Sequence, residues 1–159
     1  MSAGPTPSQT VGPFFSLGLT QRADNDLGGD AAGAVWIRGR VLDGQGDPVP
    51  DAMVEAWAAG RWGRSGTTQD GGYSLRVPAP AALDGQAPHV PLLVFARGLL
   101  KPVLTRAYFP EHAQANAADP VLAALEDAQQ AGLTAIPDGD GLRFDIRLQG
   151  PDQTAFFAR

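Results

Sequence analysis

With 159 residues, of which 43% are apolar, the chain is long and hydrophobic enough for one domain with a real core, which excludes a disordered polypeptide. A net charge of -5 argues against binding a phosphate backbone, and the absence of cysteine removes disulfides, thiolate metal sites and thiol nucleophiles together. The 20 glycines and 14 prolines point to many turns and little helix.

In chain order, the first element is a stiff N-terminal segment. "TPSQTVGPFF" (6–15) holds two prolines, a glycine and adjacent phenylalanines. Proline fixes φ and pushes the preceding residue out of the helical region, so 1–18 reads as extended, packed on its own chain or on a partner. No basic region followed by an apolar stretch marks a secretory leader, and no apolar run approaches the roughly 20 residues of a membrane helix, so the expected location is the cytoplasm. Residues 19–159 read as a single sandwich domain. "RADNDLGGDAAG" (22–33) is a surface loop. In 35–42, Val35, Ile37, Gly39 and Val41 alternate with Trp36, Arg38, Arg40 and Leu42, the period-2 pattern of a half-buried strand. "DGQGDP" supplies turn chemistry before a second apolar run ending in "VEAWA". "YSLRV" (73–77), "VPLLVFA" (90–96), "VLTRAYF" (103–109) and "GLRFDIRLQ" (141–149) are further strands. The last has the clearest alternation, with Leu142, Phe144, Ile146 and Leu148 on one face. One stretch reads as helix: "ADPVLAALEDAQQAGL", with Asp119 as N-cap, Pro120 at the first helical position, Gly132 closing it, and an apolar stripe of Val121, Leu122, Leu125 and Ala128. Short strands separated by turn signals predict an all-β sandwich with a helical insert.

Little in the residues themselves points to chemistry. There is no phosphate loop, dinucleotide fingerprint or hydrolase elbow. The two histidines, His89 at the start of a strand and His112 in a polar turn, have no zinc-type spacing. Tyr73 and Tyr108 read as packed strand aromatics. Arg97, in "FARGLL", follows a strongly apolar strand and precedes a glycine, which places a partly desolvated guanidinium at a loop mouth. It is suited to gripping a carboxylate, or it is a solvated strand-end charge.

Taken in order, "TPSQTVGPFF", "RGRVLDGQGDPVPDAMVEAWAA", "SGTTQDGGYSLR", "APHVPLLVFARGLL", "TRAYF" and "RFDIRLQG" with the terminal "TAFF" resemble the intradiol ring-cleaving dioxygenases, over nearly the whole chain. The match is closest to the iron-free α type of subunit in members that pair two kinds of chain. The resemblance implies that family's β-sandwich and a catalytic centre of ferric ion held by two tyrosines and two histidines, the latter as His-x-His. Here His89 falls where the first histidine would be, Pro91 replaces the second, Trp62 in "AAGRWGR" stands at one tyrosine position, and "VPAPAALDGQ" offers no other tyrosine. The resemblance therefore implies no catalytic or metal residue in this chain, Fe(3+) in a β-type partner subunit, and a small aromatic substrate at the interface. It carries Thr10, Gly12, Pro13 and Arg97 over as substrate-pocket residues, with Arg97 steering the carboxylate of protocatechuate toward cleavage to 3-carboxy-cis,cis-muconate. Two stretches look shorter than in the family, 17–34 and the span between "EAWAAGRWG" and "SGTTQDG". Two other readings remain open at this point: a non-catalytic β-sandwich binding or interaction module, and a self-sufficient dioxygenase with unfamiliar ligands.

Overall fold

Val35–Leu42 (β1) organises the first sheet: Ile37 and Val41 are fully buried and Arg40 faces water, as a two-residue period demands. The computed structural model describes residues 4–12, 14–20, 24–82 and 85–158. After β1 come Met53–Ala58 (β2), Arg61–Gly66 (β3), Gly72–Val77 (β4), His89–Phe95 (β5), Val103–Tyr108 (β6), Ile136–Asp138 (β7), Gly141–Arg143 (β8) and Ile146–Arg147 (β9). One sheet has the order β4-β1-β8-β7, with β9 also on β1, and the other is the antiparallel β3-β2-β5-β6. Between them lie Ile37, Leu75 and Val77 from the first sheet and Val54, Val90, Leu92 and Val94 from the second, all buried. Each such side chain contributes roughly 1.5–3 kcal/mol by leaving water. The architecture is the all-β sandwich expected.

Three local features depart from the sequence expectations. The first is β3, which lies in a span with no apolar alternation. It forms because Ala59 (φ 50) and Gly60 (φ 73) make a two-residue left-handed turn whose twist suits a hairpin, and β2 and β3 then pair from Ala58↔Arg61 to Met53↔Gly66. This strand runs straight through one of the two shortened spans. The second is the run 141–149, which is two strands rather than one. Both β8 and β9 pair parallel with β1, and the ladder breaks at Phe144 and Asp145. There the Phe144 carbonyl presses against Gly39, where a β-carbon would sit 1.8 Å from the oxygen, and accepts the buried Tyr73 hydroxyl at 2.6 Å. Asp145 Oδ1 meanwhile takes the Arg40 amide at 3.0 Å. Burial pushes the Tyr73 phenol well above 10, helped by the Asp145 charge, so the hydroxyl stays a donor.

The third departure is the helical insert, which is segmented. A 3₁₀ turn at Leu122–Ala124 is followed by an extended Leu125, and a new helix, Asp127–Leu133, starts from a capping box of Glu126 and Gln129. Gly132 lies inside this helix and Thr134 ends it; Ala128 is exposed, so the predicted stripe is incomplete. Asp119 does cap. Its buried carboxylate accepts the amides of Val121 (2.8 Å) and Leu122 (3.0 Å), and also that of Ala87 (2.7 Å) in the β4–β5 connection. Short helices also occur at Phe15–Leu19 and Ala113–Ala117, with a 3₁₀ turn at Pro110–His112. The segment read as extended is thus irregular over 4–12 and helical from Phe15. Among the described residues, no helix is long and apolar enough to cross a membrane.

Candidate functional site

β5 connects two places where chemistry could reside. Val90, Leu92 and Val94 point inward, so His89, Pro91, Leu93 and Phe95 lie on the opposite face. On β2 the same logic puts Glu55 and Trp57 there, with Trp62 of β3 directly across from Trp57 at 6.3 Å between rings. The three positions singled out in sequence, His89, Pro91 and Trp62, therefore share one sheet face.

His89 and Trp62 each have contacts of their own within the chain. His89 Nδ1 lies 2.8 Å from the Ala87 carbonyl, and its ring stacks on buried Tyr108 at 5.1 Å. Burial holds the imidazole below its ordinary 6.5; the Ala87 carbonyl opposes this and nearby Arg106 reinforces it. Burial likewise raises the Tyr108 phenol, whose oxygen lies 3.4 Å from both Arg106 Nη1 and Asp119 Oδ1. For Asp119, burial alone would raise the pKa, but the amides of Leu122, Ala87 and Val121 and the nearby His89 outweigh it and hold the carboxyl below 3.8. Trp62 lies under the Arg64 guanidinium at 4.5 Å, and Arg64 pairs with Glu55 at 3.0 Å. As a cradle for ferric ion this donor set fails: it offers a single imidazole, a proline with no side-chain donor atom, and an indole with no free lone pair. Among the described residues, no three His, Cys, Asp or Glu side chains converge as a metal group.

The other end of β5 is built differently. Just past Phe95, the Gly98 amide donates to Thr10 Oγ1 at 2.8 Å, and Phe15 packs on Phe95 at 6.5 Å between rings. The N-terminal segment is thereby laid on its own sandwich at the "FARG" loop, bringing Thr10 and Arg97 together. Gly12 has φ 76, and no atom lies within 4 Å of where its β-carbon would be, so the space beside it is open. Pro13 lies outside the described residues. Arg97 is not desolvated within this chain: its side chain is 62% exposed, and its Nε rests 3.1 Å from Asp51 Oδ2. Arg97 also borders a cleft of about 420 Å³ walled by Pro48, Pro50 and Leu99. Phe14 and Leu17, on either side of Phe15 in the N-terminal segment, are each 76% exposed. Sequence reasoning missed Asp51, in the turn before β2, because nothing local in "PVPDAM" points across the sheet to Arg97.

No protein-family model matches the chain. Its fold is that of the intradiol ring-cleaving dioxygenases. The dioxygenase domain of a dioxygenase–carbohydrate-binding fusion from Streptomyces sp. SirexAA-E superposes with a TM-score of 0.63 at 23% identity, covering 92% of this chain and 99% of that one. An intradiol ring-cleavage dioxygenase from Tetranychus urticae also gives 0.63, at 15% identity and 96% and 98% coverage. In sequence, the chain is 38% identical to the protocatechuate 3,4-dioxygenase alpha chain of Burkholderia cepacia over 96% of both chains. Its identity to the alpha chain of Pseudomonas putida is 34%, over 96% of this chain and 95% of that one. The chain belongs to the family of protocatechuate 3,4-dioxygenase alpha chains.

Proposed function

We propose that this chain is the subunit without iron in a hetero-oligomeric protocatechuate 3,4-dioxygenase, working in the cytoplasm with a ferric β subunit. The complex would cleave protocatechuate by the intradiol route to 3-carboxy-cis,cis-muconate. The observation that carries this reading is the corner at the end of β5, where Thr10 and the Arg97 loop meet through the Thr10–Gly98 hydrogen bond while the guanidinium stays open to solvent. Thr10, Gly12, Pro13 and Arg97 form one wall of a pocket whose other wall, with the Lewis-acidic iron, belongs to the partner. The family membership and the misfit of His89, Pro91 and Trp62 to iron support the same division of labour.

The chain's own contribution is binding and orientation. Arg97 presents a permanent positive charge to the ring carboxylate, and the stiff tail shields that side of the ring from water. The exposed Phe14 and Leu17 supply apolar contact for the partner. Within the segment 1–18, Thr10 and Phe15 hold to the chain's own sandwich and the exposed residues serve the partner, ahead of a single domain over 19–159. The test is Arg97→Ala in the complex co-purified with its β subunit. A charge-assisted hydrogen bond contributes about 1.5–3 kcal/mol, so KM for protocatechuate should rise about ten- to a hundredfold while KM for catechol, which lacks the carboxylate, stays put. Equal losses on both substrates would remove Arg97 from the carboxylate's binding site.

A further inference from the structure

The contact between Arg97 and Asp51 is asymmetric. Asp51 is anchored in the protein, its side chain only 15% exposed, whereas that of Arg97 is 62% exposed. The carboxylate meets the guanidinium at Nε, at 3.1 Å, and among the described residues no hydrogen bond engages either η nitrogen. The other oxygen of Asp51, Oδ1, is buried with no hydrogen-bond partner. An ion pair built for stability would use both oxygens against the guanidinium fork, whereas here Oδ1 stays unpaired. The arrangement leaves an exposed guanidinium with both η nitrogens free of hydrogen bonds among the described residues.

The support beneath Asp51 is itself rigid. Thr67 Oγ1 accepts the Ala52 amide at 2.9 Å and donates to the Val49 carbonyl at 2.7 Å, clamping the turn that carries Asp51. On the other side, Thr10 holds the peptide that follows Arg97, at Gly98 (φ 87). Backbone and guanidinium are therefore held separately, one by the tail and one by the turn before β2.

We infer that Asp51 is a positioning residue that holds Arg97 through Nε so that both η nitrogens face the bound ring's carboxylate as a ready two-pronged donor. This rests on the pocket reading given above. Two consequences of losing Asp51 oppose each other. Arg97 would regain rotamer freedom, which weakens binding, and it would lose a neighbouring negative charge, which strengthens attraction for an anion. Orientation dominates here. Asp51 touches the edge of the guanidinium away from the fork, and its second oxygen is buried in the protein rather than facing the ligand side. Ordering one flexible side chain on binding corresponds to about a three- to tenfold change in affinity.

The experiment uses the complex with its β subunit and compares protocatechuate with catechol. Asp51→Ala should raise the protocatechuate KM about three- to tenfold, leave the catechol KM and both kcat values in place, and add nothing further when combined with Arg97→Ala. Asp51→Glu should restore part of the loss. A protocatechuate KM that is unchanged or lowered, or equal losses on both substrates, overturns the role of Asp51. If Arg97→Ala itself fails to separate the two substrates, the pocket reading falls; if it separates them and Asp51→Ala does not, only this inference falls. A second readout, independent of activity and using the near-isosteric Asp51→Asn, is the Arg97 Nε–H signal in nuclear magnetic resonance of the full chain. Its exchange with water should be slowed in the parent and fast in the variant, and equal exchange in both contradicts the hold.

Discussion

The two ends of β5 are finished in opposite ways. At its start, His89 is stacked, half-buried and bonded to the Ala87 carbonyl, with the Asp119 carboxylate tying the same connection to the helical insert. Just past its finish, Arg97 stands largely in water, paired with Asp51, beside an N-terminal segment held by Thr10. Side chains at the first end engage one another within the chain. Those at the second end keep donors and apolar surface unspent, which is what a surface meant to complete another subunit's cavity requires.

The largest effect that would sharpen this contrast is expected at the closed end. Asp119→Ala strands the buried Ala87 and Leu122 amides and the partly buried Val121 amide, and should cost about 3 kcal/mol, read as a lower midpoint in urea denaturation. A loss below about 1 kcal/mol would mean that this end is not held as described. The pH dependence comes next. His89 sits below 6.5 because of burial, so the unfolded chain binds more protons than the folded one between the two values. Stability from this group is therefore present above about pH 6.5 and lost as pH falls toward its folded pKa. His89→Gln should flatten the stability profile in that window, and an unchanged slope would place the acid sensitivity elsewhere. At the open end the effects on folding are small. Thr10→Val should cost about 0.5–1 kcal/mol and speed amide exchange at Gly98. Arg97→Lys, which keeps a positive charge beside the mostly buried Asp51 carboxylate, should change unfolding by no more than about 0.5 kcal/mol despite its effect on substrate. A large folding defect in Arg97→Lys would break the contrast from that side.

How far the sequence carried the account depended on which interactions wrote themselves into local pattern. β1, β4, β5 and β6 were readable because burial on one face forces alternation, as in Val90, Leu92 and Val94. β3 was not, since its pairing with β2 leaves Trp62 exposed and gives it no apolar period; only the Ala59–Gly60 turn marked it. The break in 141–149 came from Tyr73 and Gly39, distant in sequence, capturing the Phe144 carbonyl. The helical break could have been read from Glu126 and Gln129, whose spacing is that of a capping box. At the site, Thr10 and Arg97 were visible through family resemblance, and their meeting is a product of the fold. Asp51 had no local signal, because its partner lies across the sheet.

The central claim is that this chain has a closed end without iron and an open end that serves a partner. Metal analysis and the visible spectrum of the purified chain, with and without its β subunit, test it most directly. The account predicts a colourless chain without stoichiometric iron, and about one ferric ion per β subunit with tyrosinate-to-iron colour in the complex. One equivalent of ferric ion, with colour, on the chain alone would contradict it.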